Sequence, residues 1–563
     1  MESNGDIVVV PSLERSIDEK SVLDDKQTGP LSSGNGNEQR TSDQIQEMSN
    51  GRLMLLATGM AVVWACTSAA ILETAFILPT VGREFSLSDA KAQWIAASYM
   101  LTLGCFQVIA GRLCDVYGRK RGLLIGCFTF IIFNVLSAVM PNAIGLIILR
   151  GFTGLSSASL LPSSAGLIGI LYPKGRKRTF AFTVITTGGA AGAAGGELFG
   201  GIFIQYIRWT WRACFMSLAA VTIYPLILGW WLIPSDPPIT SKLSVDWLGA
   251  ISLGSGLLLI LLGLTISETS SKRWSTPYLP ALLIGGVILL GFFIWRQRYL
   301  MRCSRREENN KPPPLIPSSL ISKDARNVLM IYMASACTWA YTDSFVVFVS
   351  YLFFDVLKLK PFDAGLKLSV TFFSGSMAAL VVALTISHVP PRVLMTVGCT
   401  LSLISPILFG IRKLDWKFWQ CDLWAFLFAA YGTDATIAAG SSIISHTASE
   451  DDQSVAAGLF QTSCRLGFAI GLAICTLVRD TVQRQHSSQN ISSSEDEANL
   501  KGLRAAFWTC SGFLMLAILS VGFGMNGWEM LDKPSSQLSS IREEGTNLKS
   551  ERDKGDQVQE SLV

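Results

Sequence analysis

Apolar residues in this chain run in long unbroken stretches, separated by short polar runs. Neither the alternation of a half-buried strand nor the stripe of a surface helix dominates. A bilayer core is crossed by about 20 apolar residues as helix. Fourteen stretches meet that length: 53–80, 93–111, 122–140, 143–170, 180–204, 212–233, 246–266, 278–296, 327–350, 365–387, 392–410, 422–445, 455–478 and 503–526. The first, fourth and twelfth are long and contain glycine or polar residues, so their ends are the least sharp. The pattern predicts an all-α membrane protein with 14 transmembrane helices. The even number puts both termini on one side of the membrane.

Charge then orients the chain. Loops after spans 2, 4 and 6 carry Arg112, Arg119, Lys120, Arg121, Lys174, Arg176, Lys177, Arg178 and Lys242. The opposite loops of that half carry only Arg83, Lys91, Arg208 and Arg212. Short cytosolic loops are enriched in Lys and Arg, so both tails are expected in the cytosol. The loop after span 8 agrees, with Arg296, Arg298, Arg302, Arg305, Arg306 and Lys311, and Pro312–Pro314 stiffens it. The only glycosylation sequon starts at Asn490, which this topology places outside. The expected organisation is a disordered cytosolic tail over 1–50 and a six-helix bundle over 51–233. Two extra helices and a cytosolic linker follow over 234–326, then a second six-helix bundle over 327–528 and a disordered tail over 529–563.

Composition narrows the class. Half of the 563 residues are apolar and 16% are charged, against roughly 25% charged in soluble domains. Mean hydropathy is +0.40. The net charge of +4 is too small to suggest a nucleic-acid partner. The 12 cysteines are scattered through apolar stretches with no pairing or metal spacing, and read as small packing residues. No HExxH, GxSxG or phosphate-binding glycine loop is present. The chain is therefore read as no enzyme, with no metal, no cofactor and a monomeric state.

One stretch stands out from this background. Gly111–Arg121, GRLCDVYGRKR, lies between spans 2 and 3. Glycines 111 and 118 permit a tight turn with close backbone approach. The cations Arg112, Arg119, Lys120 and Arg121 belong in water, and Asp115 stands alone among them. One reading is an orientation signal and nothing more. The order of the residues, however, closely resembles the loop between helices 2 and 3 of the major facilitator superfamily. That resemblance implies two six-helix bundles rocking around a central cavity. Gly111, Asp115, Gly118, Arg119 and Lys120 would then form a cytosolic gate, with Asp115 and Arg119 as a charge relay.

Further segments resemble the fourteen-spanner drug:proton antiporters, in detail the fungal aminotriazole-resistance-type efflux proteins. Span 4 holds Arg150 with Gly154 four residues on. A charge in hydrocarbon costs at least about 2.5–3.5 kcal/mol, so Arg150 faces the bundle interior or snorkels to the outer interface. In span 5, Gly188, Gly192, Gly196 and Gly200 recur every four residues, a surface on which another backbone can approach closely. This resembles the antiporter motif of helix 5, with Ala193 where a proline is usual; a generic helix contact is the other reading. Thr210-Trp211-Arg212, Asp246-Trp247-Leu248-Gly249, and Arg465 with Gly467 and Gly471 add to the match. Asp246 is placed to cap span 7. Many members carry an Asp nine residues before the proline of span 1. Pro79 puts Ala70 there, and Glu73 lies three residues later.

Glu73, Glu197, Asp343 and Asp434 fall inside predicted spans. A carboxylate is costly in hydrocarbon, so such a group readily takes up and releases a proton, as proton-coupled transport requires. With Arg150 and Arg465 they are the coupling candidates; each acid also has a purely structural reading as an ion-pair partner. Trp64, Phe345, Phe348 and Trp424 are candidates for a cargo pocket, or pack the core or face lipid. The function implied is proton-coupled export of a small toxic or secreted organic molecule at the plasma membrane, with cargo, protons and bilayer as partners. Proton-coupled uptake of a nutrient or small inorganic solute, and a non-transporting nutrient sensor, are the alternatives.

Overall fold

The computed structural model describes residues 49–87, 89–172, 176–234, 245–269, 277–304, 313–316, 325–359, 361–386, 388–448, 452–489 and 495–524. Asn490 and nearly all of both tails lie outside the described residues, and so do the expectations attached to them.

The first eight spans are single helices: α1 (Asn50–Glu84), α2 (Asp89–Tyr117), α3 (Arg119–Val139), α4 (Ala143–Leu171), α5 (Arg176–Tyr206), α6 (Trp211–Leu232), α7 (Trp247–Thr269) and α8 (Leu279–Ser304). The ninth is α9 (Ala325–Tyr351), extended by a π-helical turn over Leu352–Val356. Span 10 is divided into α10 (Pro361–Leu368) and α11 (Val370–Thr385). Then come α12 (Pro391–Ile411), a twelfth span divided into α13 (Asp422–Ala429) and α14 (Tyr431–Thr447), α15 (Gln453–Gln489) and α16 (Glu495–Gly524). Among the described residues, 12 helical segments are long and apolar enough to cross a membrane by length and composition. The other two predicted spans correspond to α5, diluted by glycine and threonine, and to the divided α13–α14.

Packing follows a repeated pattern. α1 packs on α5 and α6, α2 on α4, and α3 on α4 and α6. The last six spans repeat these partnerships: α9 with α15 and α16, α11 with α13 and α14, α12 with α13, α14 and α16. The sequence shows no such repeat by eye, but the small residues carry it. A Cβ added at Gly188, Gly192 or Gly196 would lie 2.4, 2.0 or 2.7 Å from the carbonyl oxygens of Ala61, Ala65 and Ala69 on α1. In the other half, a Cβ at Gly467 would lie 2.1 Å from the Ala336 oxygen, and one at Gly471 2.5 Å from the Ala340 Cβ. Each seam is glycine on one helix against alanine on the other, both spaced by four. Gly200 is buried at the end of the first stripe.

The two extra helices, α7 and α8, pair with each other, and α7 packs on both α2 and α15. Asp246 accepts from the Gly249 N–H at 3.0 Å, the expected cap, and from Arg296 at 2.7 Å. Leu315 of the linker is buried with Leu253, Leu257 and Phe293.

The interruption of span 12 lies among hydroxyl groups. Ser374 donates to the Leu427 carbonyl at 2.7 Å, and Tyr341 to that of Ala429 at 3.2 Å. Ser402 donates to the carbonyls of Phe428 and Ala429 and accepts from the Gly432 N–H at 2.8 Å. Backbone groups at a break in hydrocarbon need such partners. The aromatic cargo-pocket candidates are corrected here. Phe345 and Phe348 are buried in a core with Phe409, Phe426 and Phe507, where edge-to-face rings fill the space between helices, and Trp424 is 51% exposed.

The seams predict a sharp contrast. Gly192→Ala forces a methyl group into a backbone oxygen and is expected to cost about 1–3 kcal/mol. Gly201→Ala, with nothing within 4 Å of the new Cβ, is expected to be neutral. Thermal unfolding of the purified variants in detergent checks this, and equal melting temperatures would remove the seam from the packing account.

Candidate functional site

The GRLCDVYGRKR segment is not an open loop. α2 continues to Tyr117, Gly118 alone makes the turn at φ 111°, and α3 starts at Arg119. Gly111 is therefore helical and makes no turn, and its smallness serves the close backbone approach. An added Cβ would lie 2.6 Å from the Ser454 carbonyl oxygen, so Gly111 lets α15 approach. The cations are also corrected. Arg112 and Arg119 are buried, not solvated, because each is paired. Arg112 bonds Asp452 at 2.9 Å. Arg119 bonds Asp115 at 2.6 Å and the Ser454 hydroxyl at 3.0 Å. Lys120 donates to the Ile233 carbonyl at 2.6 Å, at the end of α6, where a cation suits the helix dipole.

Asp115 is the centre of this cluster. Its side chain is fully buried. Besides Arg119, it accepts from the backbone N–H groups of Ser454 at 3.2 Å and Val455 at 2.9 Å. These belong to the first turn of α15, whose N–H groups have no intrahelical acceptor. The carboxylate thus satisfies two of them and faces the positive end of the helix. Gly166 and Gly169 of α4 close in on Ser454 and Gln453 from the other side. The contact joins residues 339 and 340 apart in the chain.

Arg150 is fully buried rather than snorkelling. It donates to the Ala70 carbonyl at 2.9 Å, and its guanidinium lies 4.5 Å from the Tyr99 ring centre and 5.6 Å from that of Phe215. Position 70 thus receives Arg150 on its backbone carbonyl. Gly154 gives this packing room: an added Cβ would lie 2.3 Å from the Tyr99 carbonyl. Glu73 is close enough to interact electrostatically with Arg150, and Asp343 likewise with Arg465. Neither pair forms a direct salt bridge. Glu73 Oε1, Arg150 Nη1, Asp343 Oδ2 and Arg465 Nε are buried without a hydrogen-bond partner. Asp434, in the first turn of α14, and Glu197, on α5, are buried with one orphan oxygen each, and no arginine or lysine is placed against either among the described residues. The four acids therefore form two arginine-facing sites, one in each half, and two isolated ones.

Reading the chain for charge alone missed four uncharged groups on α2, α9 and α15, the helices that meet around Arg465. Gln107, Tyr332, Trp339 and Thr462 each carry a buried, unpartnered polar atom. Tyr332 and Trp339 are spaced by seven on α9, a same-face spacing that the sequence does contain. A pocket lies between the halves. Trp64, Ala165 and Phe182 line it from the first; Ser441, Ser445, Gln453, Phe460 and Gln461 are among those lining it from the last. Trp64, whose indole N–H donates to Ser164 at 3.0 Å, is the one member of the four aromatic candidates found there.

The family model of the Major Facilitator Superfamily matches residues 54–245 and 247–472. The chain belongs to that superfamily. The facilitator is 28% identical over 466 residues to the major facilitator superfamily multidrug transporter mdr3 of Aspergillus fumigatus, covering 80% of this chain and 77% of that protein. It is 27% identical to the aminotriazole resistance protein of Saccharomyces cerevisiae, over 80% of each. It is also 26% identical to the low affinity ammonium transporter of the same yeast, over 74% of this chain and 79% of the other. Among solved structures, the proton:xylose symporter XylE superposes with a TM-score of 0.56 at 13% identity, over 84% of this chain and 95% of that one. The facilitator is a multi-pass membrane transporter with the major facilitator fold, and its relatives include drug efflux proteins.

The Arg112–Asp452 bridge spans the two halves, so its partners should not behave independently. Arg112→Ala, Asp452→Ala and the double variant form a thermodynamic cycle. A coupling of about 0.5–3 kcal/mol is expected from thermal unfolding. Strict additivity would show that the bridge contributes nothing to holding the halves together.

Proposed function

We propose that this facilitator exports small organic molecules across the plasma membrane in exchange for protons. The observation that carries the reading is Asp115 on the first turn of α15. A carboxylate shared by Arg119 and two backbone N–H groups of the other half is a latch that closes one end of the transporter. The basic loops support a cytosolic placement of that end, with both tails on the same side. The multidrug and aminotriazole-resistance relatives support export. Uptake is the second reading, favoured by the ammonium-transporter relative and by Ala193 in the glycine motif of α5.

Two bundles, over 51–233 and 327–528, rock about the central seam in this reading, and α7 and α8 ride beside it. The latch holds the cytosolic end shut while the outer end is open, and its release admits cargo. Coupling is placed on the intramembrane acids. Glu73 near Arg150, and Asp343 near Arg465, each offer a carboxyl that balances a nearby arginine charge when deprotonated and leaves it uncompensated when protonated. Asp434 offers an isolated carboxyl for which the neutral form is the less costly.

The latch is tested with Asp115→Asn. The change keeps the shape and removes the charge, and charge-assisted hydrogen bonds are roughly twice as strong as neutral ones. Normal membrane insertion with transport lowered by about tenfold or more is expected. The assay is accumulation of a panel of toxic compounds in cells lacking the protein and carrying either form. Cells lacking it should retain more of at least one compound. Lower retention would favour uptake, and wild-type behaviour of Asp115→Asn would leave the segment as an orientation signal. A cysteine placed in the N-terminal tail, labelled only from the cytosolic side, checks the topology in the same cells.

Coupling has its own test. Glu73→Gln, Asp343→Asn and Asp434→Asn are reconstituted singly in vesicles. Loss of a coupling acid is expected to abolish proton movement driven by cargo while downhill cargo exchange continues. Loss of a structural acid instead lowers yield, because it strands a buried partner. If all three still move protons with cargo, coupling passes to Glu197, and if the unaltered facilitator moves none, it is a uniporter.

A further inference from the structure

We infer that the seam where α15 crosses α2 and α9 recognises a flat organic acid in its carboxylate form, with Arg465 as the anchor for the anion. This rests on the reading of the chain as an exporter of small organic molecules and names the class of that cargo.

The seam is close-packed and rich in unused donors. A Cβ added at Gly104 of α2 would lie 3.5 Å from the Cβ of Arg465, and one at Gly458 of α15 would lie 2.7 Å from the carbonyl oxygen of Gln107. Arg465 therefore meets α2 at Gly104, and Gln107 meets α15 at Gly458, seven residues nearer the start of α15. The Arg465 guanidinium lies 5.0 Å from the Trp339 ring centre on α9. Gln107 is 0% exposed, and both its amide oxygen and its amide nitrogen lack partners. The hydroxyls of Tyr332 and Thr462, the indole N–H of Trp339 and the Nε–H of Arg465 are also buried and unpartnered. The Gln107 oxygen and Asp343 Oδ2 are orphan acceptors in the same seam, the Tyr332 and Thr462 hydroxyls can accept as well as donate, and the groups that only donate are on Arg465, Trp339 and the Gln107 amide nitrogen.

Each orphaned buried polar atom costs about 1–3 kcal/mol. The orphans nearest Arg465, on Trp339 and on Thr462 one turn before it, are a cost that a ligand removes. What fits is an acceptor-only group that is flat, anionic and able to take several N–H and O–H bonds at once, and a carboxylate has those properties. Arg465 disfavours a cation at the same place. The rings of Trp339, Tyr332 and Phe460 supply the flat apolar wall, and Tyr332 and Phe460 lie with ring centres 6.4 Å apart. Phe460 also lines the pocket between the halves, so the Tyr332 ring lies beside that opening. Asp343 is the electrostatic neighbour of Arg465. A cargo carboxylate competes with it for the guanidinium.

The probes are 2-naphthoate and its uncharged counterpart 2-naphthamide, binding to the full-length protein in detergent by titration calorimetry. Naphthoate is expected to bind about tenfold more tightly than naphthamide, as a charge-assisted contact requires. Arg465→Gln should erase that preference, Arg465→Lys should recover part of it, and Asp343→Asn should strengthen naphthoate binding by removing its competitor. Should Arg465→Gln fail to fold, Trp339→Phe keeps the ring and removes one donor, and should weaken naphthoate by about threefold to tenfold. Equal binding of the two probes, a preference for naphthamide, no binding of either, or a preference that survives Arg465→Gln each overturns the proposal. Export of the toxic panel is measured independently, so loss of the carboxylate preference with panel export intact removes the cargo class and leaves the exporter reading standing.

Discussion

The carboxylate of Asp115 holds together parts of the chain that sequence order keeps far apart. It is buried away from solvent, and Arg119 and two N–H groups of the first turn of α15 surround it. Each charge-assisted hydrogen bond contributes about 1.5–3 kcal/mol, against a desolvation cost of several kcal/mol for the buried charges. The balance is close to level, which suits a contact that forms and breaks. Much of the surrounding architecture serves this one approach. Gly111, Gly166 and Gly169 are small so that α15 can start where it does, and the Arg112–Asp452 bridge guards the edge.

The same economy of volume recurs deeper in the bilayer. Between helices in hydrocarbon no hydrophobic drive exists, so packing depends on how closely backbones approach. The glycine-on-alanine seams of α5 on α1 and α15 on α9 supply that approach in both halves. They also bring an acid of α1 or α9 into the range of a buried arginine. Glu73 lies four residues past Ala69, and Asp343 three past Ala340. The repeat is thus chemical as well as architectural, although each half uses a different helix to carry its arginine, α4 for Arg150 and α15 for Arg465.

Much of this was legible in the sequence, and what was not has physical reasons. Span lengths follow from hydropathy alone, and the segment around Asp115 announced itself by its order of residues. Its cations were assigned to water because a charge is costly to bury, and a partner such as Asp452, 340 residues away, is invisible in local sequence. Gly111 looked like a turn residue because glycine serves both turns and close approach. Phe345 and Phe348 looked like pocket walls because an aromatic side chain has the same composition whether it faces cargo or core. Gln107, Trp339 and Tyr332 were passed over because a neutral polar side chain in a span draws attention only when its lack of a partner is seen. The breaks in spans 10 and 12 left no proline or glycine pair at Ser369 or Ala430 to mark them.

The interruption at Ala430 has a mechanical consequence. Hydroxyls from α9, α11 and α12 all grip the carbonyls and N–H groups around that one break. A break in a helix is ordinarily a joint, free to bend. Here it is bolted from three directions, so bending it would strip several bonds at once in a medium that offers no replacement. Four neighbouring spans are thereby welded into a single lever. Motion that starts at the end where Asp115 meets α15 cannot be absorbed inside this part of the molecule, and must be passed along its whole length.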